Sequence, residues 1–265
     1  MRFILLTLIT TILSFAQTGE EIFKEKCSSC HIDYIPQSKL IKNYENDNRE
    51  LNLTAPTLTE LSFALKDQIG DRRADIESQL MEIEDFLISY CNKPDIDETI
   101  FEDWVIDNFK TMPSLKLSEE EAELLAPYMF DFAEKIIVAH SVKRYSYKEA
   151  LKKAKKENKI IMIEGYIRFC RGCIQMDREV FVEKVVKEAL NRDFILVKKN
   201  MLLEKLPLGL KGLGTPAFYF ITSDGKDVID KIQGTGSVDE FLAILEEIKK
   251  DVKNGEFLKN KIKKL

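Results

Sequence analysis

The spacing of apolar side chains divides the chain into two parts with different patterns. From residue 19 to about residue 131, apolar positions recur at helical spacing between loops, and almost no strand pattern is present. Helical or amphipathic segments are predicted there at residues 20–26, 76–90, 99–110 and 118–137, and a polar, turn-rich stretch at 43–52. Ser118 and Glu121 have the form of a capping box that begins the last of these helices.

After residue 140 short continuous apolar runs alternate with helical segments. Strands are predicted at residues 160–163, 194–197, 217–221 and 228–233, and helices at 147–158, 174–190 and 238–252. This alternation is typical of an α/β layered fold. We therefore expect two domains, an all-α domain at residues 17–134 and an α/β domain at 147–265, joined by a linker at 135–146.

The first sixteen residues have the pattern of a secretory signal peptide. Arg2 precedes thirteen apolar-rich residues, and small residues surround Ala16. The stretch is shorter than the roughly 20 residues of a membrane span, although an uncleaved N-terminal anchor is the alternative. No cysteine lies near Ala16, which disfavours a lipoprotein. We expect residues 1–16 to be removed, the mature chain not to insert stably into a membrane, and the location in a bacterium to be the periplasm.

Composition limits the functions that remain. The 265 residues suit two modest domains. With 40 basic against 45 acidic residues, the net charge of −5 makes a nucleic-acid partner unlikely. The chain has five cysteines and two histidines, so a metal site built from several imidazoles is excluded.

The first cysteine cluster is Cys27-Ser28-Ser29-Cys30-His31. This C-x-x-C-H pattern is that of covalent haem c attachment, in which Cys27 and Cys30 add to the haem vinyl groups and His31 ligates the iron. A redox dithiol, half of a zinc site and a chance spacing are the alternatives. Because the signal peptide also favours export, we expect one covalent haem c.

A second axial ligand to the iron must come from elsewhere in the chain. Met81 and Met129 fall at helical spacing among apolar residues, where core packing explains them, and His140 lies at the linker. Met112 instead lies in a loop and is followed by Pro113, so we favour Met112. A thioether–imidazole pair raises the reduction potential, which suits electron transfer.

These features together resemble class I cytochromes c. The resemblance implies a small helical fold around haem c, with His31 and Met112 as axial ligands and the carbonyl of Pro56 orienting His31. The sequence differs from the family in a helical insertion at about residues 61–91, which contains Cys91, expected to be a buried apolar residue. The matching positions are Gly19, Ile22, Phe23, the Cys27–His31 motif, Ala55-Pro56-Thr57-Leu58, Met112-Pro113, residues 117–121 and Tyr128.

The second cysteine cluster, Cys170-Arg171-Gly172-Cys173, follows a predicted buried strand and a short loop. A helix that begins here favours a thiolate through its N-terminal N–H groups, and Arg171 adds positive charge. We expect Cys170 to be the nucleophile and Cys173, about one turn further in, to be the resolving thiol. A structural disulfide or half of a metal site are the alternatives.

With Gly214-Thr215-Pro216-Ala217, residues 145–252 resemble the thioredoxin superfamily, especially domains of periplasmic thiol–disulfide proteins. The resemblance implies that Pro216 is a cis-proline facing the dithiol and that Thr215 offers main-chain hydrogen bonds to a substrate. Glu164 stands six residues before Cys170, where many members have a buried acid that could take the proton of Cys173. Its alternative role is a partly solvated carboxylate at a strand end. Phe169 stands where the family commonly has tryptophan.

The resulting hypothesis is an exported thiol–disulfide oxidoreductase fused to a monohaem c-type cytochrome. Its expected partners are proteins with disulfides or thiols and another electron carrier. One alternative is an electron-carrier cytochrome whose thioredoxin-like domain docks partners; another is a reductase that maintains the thiols of exported proteins, including apocytochromes. We favour catalytic thiol chemistry, because Cys170, Cys173 and Pro216 occur together.

Overall fold

A computed structural model describes residues 17–73, 75–168, 170–212, 214–257 and 263–264. The predicted signal peptide and Phe169 therefore lie outside the described residues. In the described part of the chain up to residue 140, the regular elements are helices. They are α1 (Gly19–Lys26), α2 (Gln37–Glu45), α3 (Leu58–Gln68), α4 (Ile76–Asn92), a 3₁₀ turn (Ile96–Glu98), α5 (Asp103–Ile106) and α6 (Glu119–His140).

Capping boxes fix where three of these helices begin. The predicted box of Ser118 and Glu121 is present at the start of α6, and the same arrangement begins α1 at Thr18 and α3 at Thr57. Helices α1, α3 and α4 all pack on α6. The core between them is formed by buried residues that include Ile22, Phe23, Leu58, Leu65, Ile83, Leu87, Leu125, Ala126 and Met129.

The C-terminal part is a mixed sheet covered by helices. Its strands lie in the order β2-β1-β3-β4-β5, in which β1 pairs in parallel with β2 and antiparallel with β3, while β4 is antiparallel to β3 and parallel to β5. The elements are α7 (Tyr147–Glu157), β1 (Ile160–Tyr166), α8 (Arg171–Gln175), a π-helical turn (Met176–Val180), α9 (Lys184–Asp193), β2 (Phe194–Asn200), a 3₁₀ turn (Pro207–Gly209), β3 (Ala217–Ile221), β4 (Val228–Gln233), α10 (Val238–Asn254) and β5 (Lys263–Lys264).

The continuous apolar run in β1 is explained by helices on both faces of the sheet. Ile160 and Met162 join the core beneath the π-helical turn, α9 and α10, whereas Ile161 and Ile163 join the core beneath α7. Successive side chains of a strand point to opposite faces, so a strand covered on both faces is apolar at nearly every position. The predicted α/β layering is thereby confirmed.

Some element predictions are wrong in detail. Residues 46–51 are turns, as predicted, but α2 extends into the first three residues of that stretch, because Leu40 and Tyr44, one turn apart, are buried. The segment 99–110 contains only the short α5. The predicted helix 174–190 is interrupted after the π-helical turn, where Phe181 packs into the core beneath the sheet and Val182 packs toward the helical domain. Helix α6 extends through His140, into the predicted linker.

The two parts pack directly on each other. Phe63 of α3 and Ile137 of α6 form one apolar cluster with Val182 and Ile174 of the C-terminal part. The guanidinium of Arg178 lies 5.3 Å from the centre of the Phe63 ring. Helix α3 therefore lies against the segment that follows the second cysteine cluster. Across the described ranges, no helix combines the length and the apolar character needed to cross a membrane.

Candidate functional site

Cys170 and Cys173 form a disulfide at the start of α8. Their sulfurs are 2.11 Å apart, and both residues are buried. Strand β1 ends at Tyr166, and Cys170 is the N-cap of α8, so its Sγ accepts a 3.0 Å hydrogen bond from the backbone N–H of Cys173. In the reduced protein the same N–H would favour a thiolate on Cys170. The geometry suits the predicted nucleophilic role of Cys170, which stays a prediction.

Pro216 lies against the turn that holds the two cysteines. The Thr215–Pro216 peptide bond is cis, as the resemblance implies. A Cβ on Gly172 would lie 2.9 Å from Cδ of Pro216 and 2.7 Å from Cγ2 of Thr235. The glycine between the cysteines therefore allows the dithiol turn to approach the proline loop. The part of Pro216 and Thr215 in substrate binding stays a prediction.

Glu164 is buried within β1 rather than solvated at a strand end. It is 1% exposed. Its Oε2 accepts hydrogen bonds of 3.2 Å from Nε and Nη2 of Arg144, and its Oε1 lies 3.0 Å from Nζ of Lys198. The alternative of a partly solvated carboxylate is therefore wrong, and Glu164 is the centre of an ion-pair network.

Asp177 completes this network and was missed in the sequence. It accepts a 2.6 Å hydrogen bond from Nη2 of Arg144 and pairs with Nζ of Lys198. Burial, together with the neighbouring carboxylate of Glu164, raises the pKa of Asp177 to about 6, against the effect of the two cations. The signal available in sequence was its position four residues after Cys173, which places both residues on one helical face. We call Glu164, Asp177, Arg144 and Lys198 the charge cluster.

The charge cluster and the disulfide are parts of one site. Cys170, Cys173 and Asp177 line the same cleft, together with Arg144 and Lys198. A carboxyl whose pKa is about 6 changes protonation near neutral pH, which is the property required of a group that exchanges a proton with a thiol. Asp177 is therefore the acid–base candidate that the geometry adds to the predicted residues.

Cys27, Cys30 and His31 follow α1 in a tight turn. Cys27 and Cys30 are free thiols, and the backbone N–H of His31 donates to the carbonyl of Cys27 at 3.0 Å. Nδ1 of His31 lies 2.7 Å from the carbonyl oxygen of Pro56, so Nδ1–H donates and Nε2 keeps its lone pair. Burial lowers the pKa of His31, which favours the neutral form that ligates metals. These donors fit haem c.

The loop of Met112 is attached to the end of α4. The N–H of Leu115 donates to the carbonyl of Cys91 at 2.7 Å, and Oγ of Ser114 donates to that of Asn92 at 2.7 Å. Met112 is half-buried and packs against the same helical core as Cys27. The predicted insertion thus supports the loop, while iron ligation by Met112 stays a prediction.

The other candidates for the sixth ligand occupy different environments. Met129 is buried in the core, as expected. Met81 is 57% exposed, so the expectation that it packs in the core is wrong; it lies on the outer face of α4. His140 is exposed, and its ring stacks on Tyr34 with 4.3 Å between the ring centres.

Cys91 is buried, as predicted, and lies near Cys27. Burial raises the pKa of Cys91 to about 11, and burial followed by the charge of Cys91 raises that of Cys27 to about 12. Both thiols are therefore protonated at neutral pH. Within the described ranges, no three His, Cys, Asp or Glu side chains surround a common metal position.

Comparison with known proteins identifies the C-terminal part. Residues 147–249 match the family described as "Thioredoxin-like domain". An uncharacterized protein of Aquifex aeolicus is 27% identical over 163 residues, which cover 58% of this chain and 95% of that protein. Among solved structures, a thioredoxin from Thermus thermophilus is 26% identical and covers 44% of this chain and 94% of its own, with a TM-score of 0.38. A DsbH oxidoreductase is 19% identical over 42% of this chain and 85% of its own, with a TM-score of 0.37. The family match confirms the predicted thioredoxin-like fold of the α/β domain.

Proposed function

We propose that the chain is an exported thiol–disulfide oxidoreductase whose thioredoxin-like domain is fused to a monohaem c-type cytochrome domain that transfers electrons. The observation that carries the proposal is the Cys170–Cys173 disulfide at the start of α8, beside a cis Pro216 and the charge cluster. The expected partners are proteins that present disulfides or thiols, and a second electron carrier. The pattern of residues 1–16 supports a periplasmic location.

In the dithiol reaction, the Cys170 thiolate attacks one sulfur of a substrate disulfide. A bond forms between Cys170 and that sulfur, the substrate disulfide breaks, and the other sulfur leaves as a thiolate. Cys173 then attacks Sγ of Cys170 and releases the second substrate thiol. The substrate gains two electrons and two protons, and the protein disulfide re-forms.

The charge cluster supplies the proton transfer in the second step. Asp177 lies in the cleft with Cys173, and its raised pKa of about 6 brings the titration of its carboxyl close to neutral pH. It accepts the proton of Cys173 as that thiol becomes the attacking thiolate. Arg144 and Lys198 hold Asp177 and Glu164 in place through the ion pairs.

In the helical domain, Cys27 and Cys30 would hold a haem c through thioether bonds, and His31 and Met112 would supply the protein ligands to its iron. The haem, when bound, supplies a one-electron carrier of raised potential. The carbonyl of Pro56 holds the imidazole orientation through Nδ1 of His31, and the end of α4 fixes the loop of Met112.

Helix α3 connects the two centres. It begins directly after Pro56 and Thr57, on the side of His31, and Asp67 near its end pairs with Arg171 at 2.9 Å. Eleven residues at about 1.5 Å each make α3 about 16 Å long. This placement supports cooperation between the dithiol site and the helical domain.

The proposal is tested by expressing the full chain in a host that matures c-type cytochromes. We expect covalent haem in the wild type and its loss in Cys27→Ala, together with thiol–disulfide exchange that disappears in Cys170→Ser. Cys91→Ser, which changes a buried cysteine outside both motifs, serves as the control and should keep both properties. Colourless wild-type protein would contradict the cytochrome part, and exchange at the wild-type rate by Cys170→Ser would contradict the dithiol part.

A further inference from the structure

A cleft between the two domains reaches the disulfide. Its volume is about 370 Å³, which lies in the range of small-molecule sites. One wall comes from α3 and α6 of the helical domain, and the other from the end of β1 and the segment around Cys170 and Cys173. Neither domain alone forms this cleft, and its size suits a small molecule rather than a folded protein segment.

Two cations lie close together in this cleft. Lys66 of α3 has a side chain that is only 17% exposed, and its Nζ lies 4.5 Å above the ring of Phe130. Arg168, just before the disulfide, also lines the cleft and donates to the carbonyl of Arg72 at 3.1 Å. Burial lowers the pKa of Lys66, and repulsion from Arg168 adds to this effect. A partly desolvated ammonium beside a second cation is stabilised by a bound anion.

The carboxylates around the cleft neutralise the charge of Lys66 only in part. Asp177 is engaged by Arg144 and Lys198. Glu134 is 3.8 Å from Lys66 but is 77% exposed, so it lies at the rim, where solvent weakens the pair. Asp131 lines the cleft and contributes to the field at Lys66, and it lies 4.0 Å from Nζ of Lys135 in a pair that is exposed to solvent.

We propose that the interdomain cleft binds small anionic disulfides, with Lys66 recognising a carboxylate or a similar anionic group close to the sulfur–sulfur bond. This inference rests on the proposed thiol–disulfide activity and names its substrate class. Cys170 attacks the bound disulfide, one anionic thiol leaves, and Cys173 displaces the second from Cys170, so that one disulfide is reduced to two thiols while the protein dithiol is oxidised. The helical domain is then part of the substrate site.

The test compares three small disulfides of similar length and different charge: dithiodiglycolate (negative), 2-hydroxyethyl disulfide (neutral) and cystamine (positive). Full-length protein is reduced, freed of reductant and mixed with each disulfide, and the rate constant for oxidation of the dithiol is measured. We expect the wild type to react fastest with dithiodiglycolate, although the net charge of −5 disfavours anions at long range.

Variants at Lys66 test whether the faster reaction with the negative disulfide depends on the cleft. Lys66→Gln should lose about tenfold or more with dithiodiglycolate, as expected for one lost charged contact, and keep its rate with the neutral disulfide. Lys66→Arg should keep the preference, and Lys66→Glu should transfer it to cystamine. Lys184→Gln on α9, which removes the same charge from a side chain that is 85% exposed, should behave as the wild type.

Anion binding in the cleft and the dithiol activity itself are distinguished by different outcomes. If the wild type reacts with all three disulfides but shows no preference for the negative one, or Lys66→Gln keeps that preference, the cleft is not an anion site and the dithiol activity stands. If the wild type reduces none of the three and equals Cys170→Ser, the dithiol activity itself is wrong.

Discussion

Replacing Asp177 by Asn removes the proton acceptor that we assign to Cys173. The carboxylate lies in the cleft with the disulfide, and its pKa of about 6 makes it a base at neutral pH. General-base catalysis by a positioned side chain contributes about 10²- to 10⁴-fold. We therefore expect Asp177→Asn to slow the step in which Cys173 attacks by about 100-fold at pH 7, while the first attack by Cys170 changes much less.

The rate of attack by Cys173 should depend on pH through the ionisation of Asp177. Asp177 can accept a proton only when it is ionised, so the wild-type rate of the second step should rise as the pH rises through about 6. Below that pH the carboxyl is protonated and its contribution is lost. In Asp177→Asn this inflection should be absent, and the rate should instead follow the ionisation of the thiol at higher pH.

The two steps can be separated with an aromatic disulfide such as 5,5′-dithiobis(2-nitrobenzoate). Attack by Cys170 releases the first coloured thiol, and attack by Cys173 releases the second, so rapid mixing should give two phases. Cys173→Ala lacks the second attack and identifies that phase.

Two further variants distinguish catalysis from packing. Asp177→Glu restores a carboxylate and should recover part of the rate of the second phase. Glu164→Gln leaves Asp177 in place and should keep an inflection, shifted to lower pH because the Glu164 carboxylate helps to raise the pKa of Asp177. A second phase in Asp177→Asn that keeps both its rate and its inflection near pH 6 would refute the assignment.

The other predictions concern the helical domain. Met112→Ala should lower the haem reduction potential and allow carbon monoxide to bind the reduced iron, because a thioether ligand is lost. Met81→Ala, at an exposed methionine, is the control and should change neither property. An unchanged potential in Met112→Ala would exclude Met112 as ligand. Ser62→Ala should lower the free energy of unfolding by about 1–3 kcal/mol in urea titrations, because the buried Oγ donates to the carbonyl of Phe130 at 3.1 Å and accepts from the N–H of Ala133 at 3.0 Å. A loss below about 0.5 kcal/mol would show that water or a local shift replaces these bonds.

The elements predicted best from the sequence are those whose buried side chains follow one another in a short stretch of the chain. The predicted bounds of β3 agree with the structure, because a strand covered on both faces of the sheet is a continuous apolar run. The bounds of β4 also agree, although Asp230, Lys231 and Gln233 interrupt its apolar residues. Helix α2 was missed because Leu40 and Tyr44 are its only large apolar residues that are fully buried, within an otherwise polar segment. The break after the π-helical turn was missed because helical spacing cannot show that neighbouring residues pack into different cores.

Some residues of the candidate site could likewise be found from the sequence, and others could not. The motif cysteines could be found from their spacing, since strand, loop and helix follow one another in the chain, and Glu164 was suggested by the resemblance to the thioredoxin superfamily. The role of Asp177 could not, because it depends on Arg144 from the segment before α7 and on Lys198 from β2, which only the folded sheet brings together. Lys66 was missed for the same reason, since the cleft wall opposite it belongs to the other domain.

Helix α3 lies between the two candidate sites and has contacts near both of them. At one end it follows Pro56, whose carbonyl binds His31, and near the other end Asp67 pairs with Arg171, between the two cysteines. Its middle is fixed to the thioredoxin-like domain by Phe63, which contacts Val182 in an apolar cluster. A displacement of α3 would therefore alter the contacts of His31 and of the dithiol turn together. Coupling between two sites is reciprocal in free energy. If reduction of the disulfide changes the free energy of a contact at His31 through α3, the same change at His31 alters the free energy of disulfide reduction by an equal amount.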